Sequence, residues 1–328
     1  MLATAALALA VTGTLSSGTV QAAVAPGTTG AADGGPGTDP GVLLRGLAAC
    51  AAKAIVVGRN VAAYPSVLSR TLAAGQDLIA LTTPQASSFR RPLTRTLDRY
   101  LDGVPGQVSV SVRDLSTGLS YSYNGGLRTA AASIVKVDVV MALLLKAQRE
   151  GRDLTAWERR TTDRAIRVSD NAATTALWSA IGGGPGLSAA NTRFGLRETA
   201  PDPGGAWGAT TTSAADQVRL LTSLASPRSP LSAKNRRYLL GLMAGVAPEQ
   251  AWGVSASGRG GADVALKNGW LPRERHGGRW TVNSIGRVRD RGHTYLIAVI
   301  SHRHDTMGAG VHAVERVSRL VTDALATR

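Results

Sequence analysis

The spacing of apolar positions becomes regular from Phe89 onward. In "RRPLTRTLDRYLDG", Leu93, Leu97 and Leu101 recur at helical spacing and predict a helix with one apolar stripe. In "QVSVSVRDL", Val108, Val110 and Val112 alternate with small polar residues, the pattern of a strand with one buried face. "STG" turns into "LSYSYN", a second strand. Helical patterns follow near 131–149, 155–168, 171–181, 212–225 and 231–245. "ADVALKNG", "RWTVNSIGRVR" and "HTYLIAVIS" then read as three more strands. Residues 310–326 end the series as a helix with Val311, Val314, Val317 and Leu320 on one side.

This order predicts an α+β fold. The five strands form one antiparallel sheet flanked by helices, with the first and last helices covering one face. The helical middle forms a second lobe, and the cleft between the two is the place to look for a site.

The chain before Phe89 carries no such chemistry-bearing pattern. Leu2 to Val11 form a short apolar core, followed by the small-residue stretch "VQA" at 20–22. That predicts a secretory signal over residues 1–22, cleaved near Ala22, and hence a secreted, extracytoplasmic protein. Residues 23–41 are rich in Gly, Pro, Thr and Asp and read as a flexible linker. Residues 42–88 look helical and carry no motif, so they form an extension without an assigned role. The globular domain is expected over 89–328.

Composition narrows the class. Of 328 residues, 44% are hydrophobic and 18% charged, which is globular rather than disordered. The single cysteine, Cys50, excludes an internal disulfide. The net charge of +15 reads either as an Arg-rich composition spread over a solvated surface or as affinity for anionic cell-wall polymers. No dense basic run with interleaved aromatics appears, so no nucleic-acid partner is expected. A monomer is expected, with no cofactor. His302, His304 and His312 have no acidic or cysteine pattern around them to complete a metal site.

Only five of the 37 basic residues are lysines. Arginine serves wherever a cation suffices, while lysine can lose its proton in a suitable site. Two of the five sit in suggestive settings. Ser133 and Lys136, in "SIVK", fall on one face at a helix start, where free backbone N–H groups favour developing negative charge. Lys267, in "KNGW", lies on a strand beside a glycine that permits close backbone approach. Between them, "SDN" places Ser169, Asp170 and Asn171 on an interhelical turn.

Ser-x-x-Lys, Ser-Asp-Asn and Lys-x-Gly in this order resemble the class A β-lactamase-like family of penicillin-recognising serine enzymes, over roughly residues 89–328. "AIGG" at 180–183, "TTTSAADQVRLL" at 210–221 and "TVNSIGRV" at 281–288 support the likeness. The resemblance implies a β-lactamase/transpeptidase-like fold and an acyl-enzyme at Ser133. It makes Lys136 the base, Ser169 the proton shuttle and Lys267 the group that tunes it. The backbone N–H groups of Ser133 and Trp270 become the oxyanion hole. Asn171, Asn268, Gly269 and Trp270 become substrate contacts, with Lys267 and Asn268 facing a substrate carboxylate.

Three features depart from the family. Lys-Asn-Gly replaces Lys-Thr/Ser-Gly. The spacing from Ser133 to Ser169 is short, which implies a reduced helical lobe and a more open cleft. The loop "RETAPDPGGAWGATTT" lacks the family's deacylating glutamate and offers only Glu198 and Asp202, the latter matching a structural aspartate. Three readings therefore stand: a β-lactamase-like hydrolase, a D-alanyl-D-alanine peptidase-like cell-wall enzyme, and a ligand-binding sensor without turnover.

Overall fold

The structure is a computed structural model and describes residues 88–327. The expected signal, the linker and the extension up to residue 87 lie outside the described residues.

Helix α1 (Arg90–Leu101) leads into strands β1 (Gln107–Asp114) and β2 (Ser120–Tyr123). The helical middle comprises α2 (Val135–Arg149), α3 (Ala156–Arg167), α4 (Asn171–Ala180), α5 (Gly183–Phe194), α6 (Ala214–Ala225) and α7 (Ala233–Ala244). Two short strands, β3 (Thr129–Ala130) and β4 (Thr211–Thr212), pair with each other. Strands β5 (Asp263–Pro272), β6 (Trp280–Asp290) and β7 (His293–His302) precede the last helix, α8 (Met307–Ala326). The five long strands form one sheet in the order β2-β1-β7-β6-β5, with every neighbour antiparallel. This is the α+β architecture that the apolar pattern predicts.

The sheet separates two cores, and strand alternation assigns residues to each. On β7, Leu296, Ala298 and Ile300 face the helical lobe, while Tyr295, Ile297 and Val299 face α1 and α8. Helix α2 is buried on nearly every side, so it is the central helix rather than an amphipathic surface one. Truncating one of its leucines, such as Leu144, to alanine costs about 2–5 kcal/mol.

Two expectations change. Strand β1 is buried on both faces, because Ser109 and Ser111 are covered as well as the three valines. Helix α5 was not foreseen. Its first turn is "GGPG", poor in helix propensity, and its apolar contacts are only Leu187, Ala190 and Phe194.

Candidate active site

The site is assembled where β5 meets the start of α2. Ser133 lies in a short 3-10 turn, Ala132–Ile134, that runs directly into α2. Ala132, just before it, has φ of 50°. For a residue with a Cβ, this left-handed backbone costs on the order of 1–3 kcal/mol, and such strain concentrates at functional sites. The turn is held from below by Asn283 on β6, whose Nδ2 donates to Ala130 O at 2.9 Å and Ala131 O at 3.0 Å. Its Oδ1 accepts from Ser301 N, so the amide is fully used.

Gly269 explains how β5 reaches this turn. A Cβ at that position would stand 2.6 Å from Ser133 N and 2.7 Å from Ile134 N. Only a residue without a side chain lets the free edge of β5 lie there.

Period-two alternation on β5 sends Lys267 to the same face as Gly269, toward α2. Lys267 Nζ is fully buried and donates to Ser169 Oγ at 3.0 Å and to Asn268 O at 2.9 Å. The same alternation turns Asn268 and Trp270 the other way. Asn268 is buried, and its Nδ2 donates to Gln250 O and Trp252 O. Its amide is therefore committed to holding the segment before β5. The expectation that Asn268 faces a substrate carboxylate is corrected. The Trp270 ring likewise packs on Trp252, with centroids 5.7 Å apart, on the α8 side of the sheet. Only its backbone remains near Ser133.

Lys136, one turn after Ser133, is fully buried. Its Nζ donates to Ser169 O at 2.5 Å, Ser169 Oγ at 3.1 Å and Asn171 Oδ1 at 2.8 Å. Ser169 has φ of 58°, a second left-handed residue with a side chain. That bend lets its carbonyl and hydroxyl face Lys136 together. Asp170 serves the local fold. It caps α4 through Ala173 N and pairs with Arg164. The exposed Asn171 keeps its Nδ2 available, which suits contact with a ligand carbonyl.

Burial sets the electrostatics of the two amines. It pulls Lys136 down to about 8, opposed by the charge of Asp170. Lys267 is pulled down to about 7, by burial first and then by the positive charge of Lys136. One serine hydroxyl thus lies between two amines that lose protons near neutral pH. Such a hydroxyl can accept a proton from one side and donate one to the other. Ser133 Oγ makes no hydrogen bond to a described residue, and the residue is half-buried.

The loop over 197–210 departs most from expectation. Neither of its acids reaches an amine. Glu198 pairs with Arg128 and accepts from Ser213 Oγ. Asp202 folds onto its own turn, accepting from Ala206 N at 3.4 Å. What covers Lys136 is Trp207, whose ring centroid is 5.0 Å from Nζ, a cation–π distance. Trp207 Nε1 donates to Thr175 Oγ1 on α4, fixing the ring. The loop is tied at both ends. Buried Asp216 accepts from Arg197 N, Glu198 N and Thr199 Oγ1. At the far end, Ala131 N donates to Thr210 O at 2.7 Å beside the β3–β4 pair. Trp207 and Asn283 were not singled out from the sequence. The available signals were a lone tryptophan among glycines and alanines, and a lone amide in an apolar strand.

Among the described residues, no group of three His, Cys, Asp or Glu is placed to hold a metal.

With this geometry in place, likenesses to known proteins have a structural footing. The profile of the Beta-lactamase enzyme family matches residues 92–157 and 158–325. The chain belongs to that family. Its fold is that of class A enzymes. A class A β-lactamase from Bacteroides cellulosilyticus has a TM-score of 0.64 at 18% identity, covering 73% of this chain and 99% of that one. A mutant of PBP-A, solved as an acyl-enzyme with penicillin G, has a TM-score of 0.62 at 22% identity, over 73% and 97%. In sequence, the chain is similar to "Putative lipoprotein LppW" of Mycobacterium tuberculosis, 30% identical over 171 residues. That match covers 50% of this chain and 54% of the relative, so the chain spans about half the length of the curated relatives it matches.

Proposed function

We propose that this family member is an extracytoplasmic serine hydrolase that acylates Ser133 with β-lactams or related peptide-like amides and releases the acyl group slowly. The observation that carries this reading is Lys136, buried and bonded to Ser169, with an indole in place of a carboxylate over its amine.

Lys136, Ser169 and Lys267, linked by hydrogen bonds, support the acylation half of this reading. Neutral Lys136 takes the Ser133 proton as Oγ bonds to the substrate carbonyl carbon. The backbone N–H groups of Ser133 and Trp270 receive the developing oxyanion. As the C–N bond breaks, a proton passes through Ser169 Oγ, between Lys136 and Lys267, to the leaving nitrogen. Lys267 Nζ, neutral or protonated, also donates a hydrogen bond toward a substrate carboxylate, and Asn171 Nδ2 holds a substrate carbonyl. Among the described residues, neither acid of the loop is available to activate water for release, since Glu198 and Asp202 are committed elsewhere.

That imbalance favours a cell-wall peptidase-like role over fast antibiotic hydrolysis. The relatives named as lipoproteins support the extracytoplasmic placement.

Incubation with a fluorescent penicillin, followed by intact mass over time, tests the proposal. The expected result is one adduct per chain that persists for hours in the wild type and never forms in Ser133→Ala. Absence of an adduct on the wild type would leave only ligand binding. An adduct cleared within seconds would overturn slow release.

A further inference from the structure

Away from Ser133, arginines of the sheet and of the helical lobe are gathered rather than spread. A cleft of ≈ 640 Å³ runs between the β1–β2 edge of the sheet and helices α5 and α6. Arg113, Arg193, Arg197, Arg219 and Arg228 line it, and no aspartate or glutamate does. Only Arg219 has an ion-pair partner among the described residues, Asp216.

A second cleft, of ≈ 690 Å³, is lined by Arg236, Arg237, Arg287 and Arg289, again with no acid in its wall. Asp263, from outside, is the carboxylate shared by Arg287 and Arg289. The two clefts adjoin along the C-terminal end of α6. Thr222, Ser223 and Ser226 line the first, and Leu224 and Ala225 the second.

Gathered like charges repel one another and weaken the compact state. A bound polyanion removes that cost. Arginine presents a planar fork that meets two oxygens of one phosphate, which a lysine cannot do. No exposed aromatic lines either cleft, and single-stranded nucleic acid needs such stacking platforms.

We propose that this arginine band binds a linear, phosphodiester-linked glycopolymer of the cell envelope. Its walls share no residue with the Ser133 cluster, so this proposal and the acylation reading fail separately.

The test titrates polyglycerol phosphate into the full chain at low and moderate salt, by calorimetry. Affinity is expected to fall steeply with salt, because each phosphate contact releases counterions. Arg113→Gln/Arg193→Gln/Arg228→Gln is expected to bind at least roughly tenfold more weakly with a shallower salt slope. Arg91→Gln/Arg95→Gln/Arg99→Gln, on α1, removes the same charge and is expected to stay within about twofold. Arg113→Lys/Arg193→Lys/Arg228→Lys keeps the charge and loses the fork, and is expected to bind about threefold more weakly. Melting curves of all three variants show whether each remains folded. The proposal is overturned if both glutamine variants weaken equally. It is equally overturned if duplex DNA binds as tightly per phosphate, or if wild-type protein does not bind at low salt.

Discussion

The two walls of the cleft are built to different standards. On the α2–β5 wall both buried amines and the amide beneath Ser133 are hydrogen-bonded. Lys136 has three acceptors, Lys267 has two, and Asn283 holds the turn beneath Ser133. On the loop wall the acids look away, and a hydrogen-bonded indole faces the amine. Buried amines that lack an ion-pair partner are costly to keep. On the proposed reading, the chain bears that cost on the side that would form an acyl-enzyme, and among the described residues no comparable group stands on the side that would open it. The difference separates two steps that a single catalytic carboxylate would otherwise couple.

The largest effect should come from breaking the first wall. Lys136→Met keeps much of the buried volume and removes the base, and acylation is expected to slow by about 10²–10⁴-fold in stopped-flow measurements with a labelled penicillin. A rate unchanged within a factor of about three would move the base elsewhere, with Lys267 the next candidate.

Repairing the second wall should have a smaller effect. Trp207→Glu places a carboxylate beside Lys136, in reach of a water next to the acyl group. The adduct lifetime is expected to shorten by roughly 10–100-fold. The same variant restores an opposite charge to Lys136, so its amine should hold its proton to higher pH. A lifetime equal to wild type would show that the indole is not what stands between the acyl group and water.

The pH profile sharpens the contrast further. Acylation needs an unprotonated amine, so its rate should rise with pH through the region between about 7 and about 8, where Lys267 and Lys136 lose protons. In Trp207→Glu the rise should move upward. A flat profile across that range would remove both lysines from proton transfer.

Stability carries the smallest signal. Both folded lysines release protons below the ordinary value of 10.5, so the unfolded chain binds more protons between about 7 and 10.5. Stability should therefore rise with pH in that window, by at most about 1.4 kcal/mol per pH unit from each lysine. Denaturant melts of Lys267→Met should show a shallower rise.

Much of this was legible in the sequence, for identifiable reasons. Helix and strand periods over 90–123 and 263–326 mark the sheet and its covering helices, because each element buries one stripe or face. Ser133, Lys136, Ser169 and Lys267 were legible because lysine is scarce in the chain and each falls in a short motif. Asn268 was misread because its motif neighbour points into the site, while strand alternation turns it into the opposite core. Trp207 was not legible because its role depends on where two distant anchors, Asp216 and Thr210, hold a loop with no period of its own. Helix α5 escaped because its burial, against α2, is tertiary and its own residues favour a turn.

The anchored loop over 197–210 has a consequence for how this scaffold can change. Its two ends are fastened by the fold, through Asp216 and the β3–β4 pair, whereas residues 203–206 between them are exposed. Mutations in the middle are thus partly uncoupled from folding and adjoin Trp207, the residue that faces Lys136. Substitutions over 203–206 can therefore change the surface beside Trp207 at little cost to the fold.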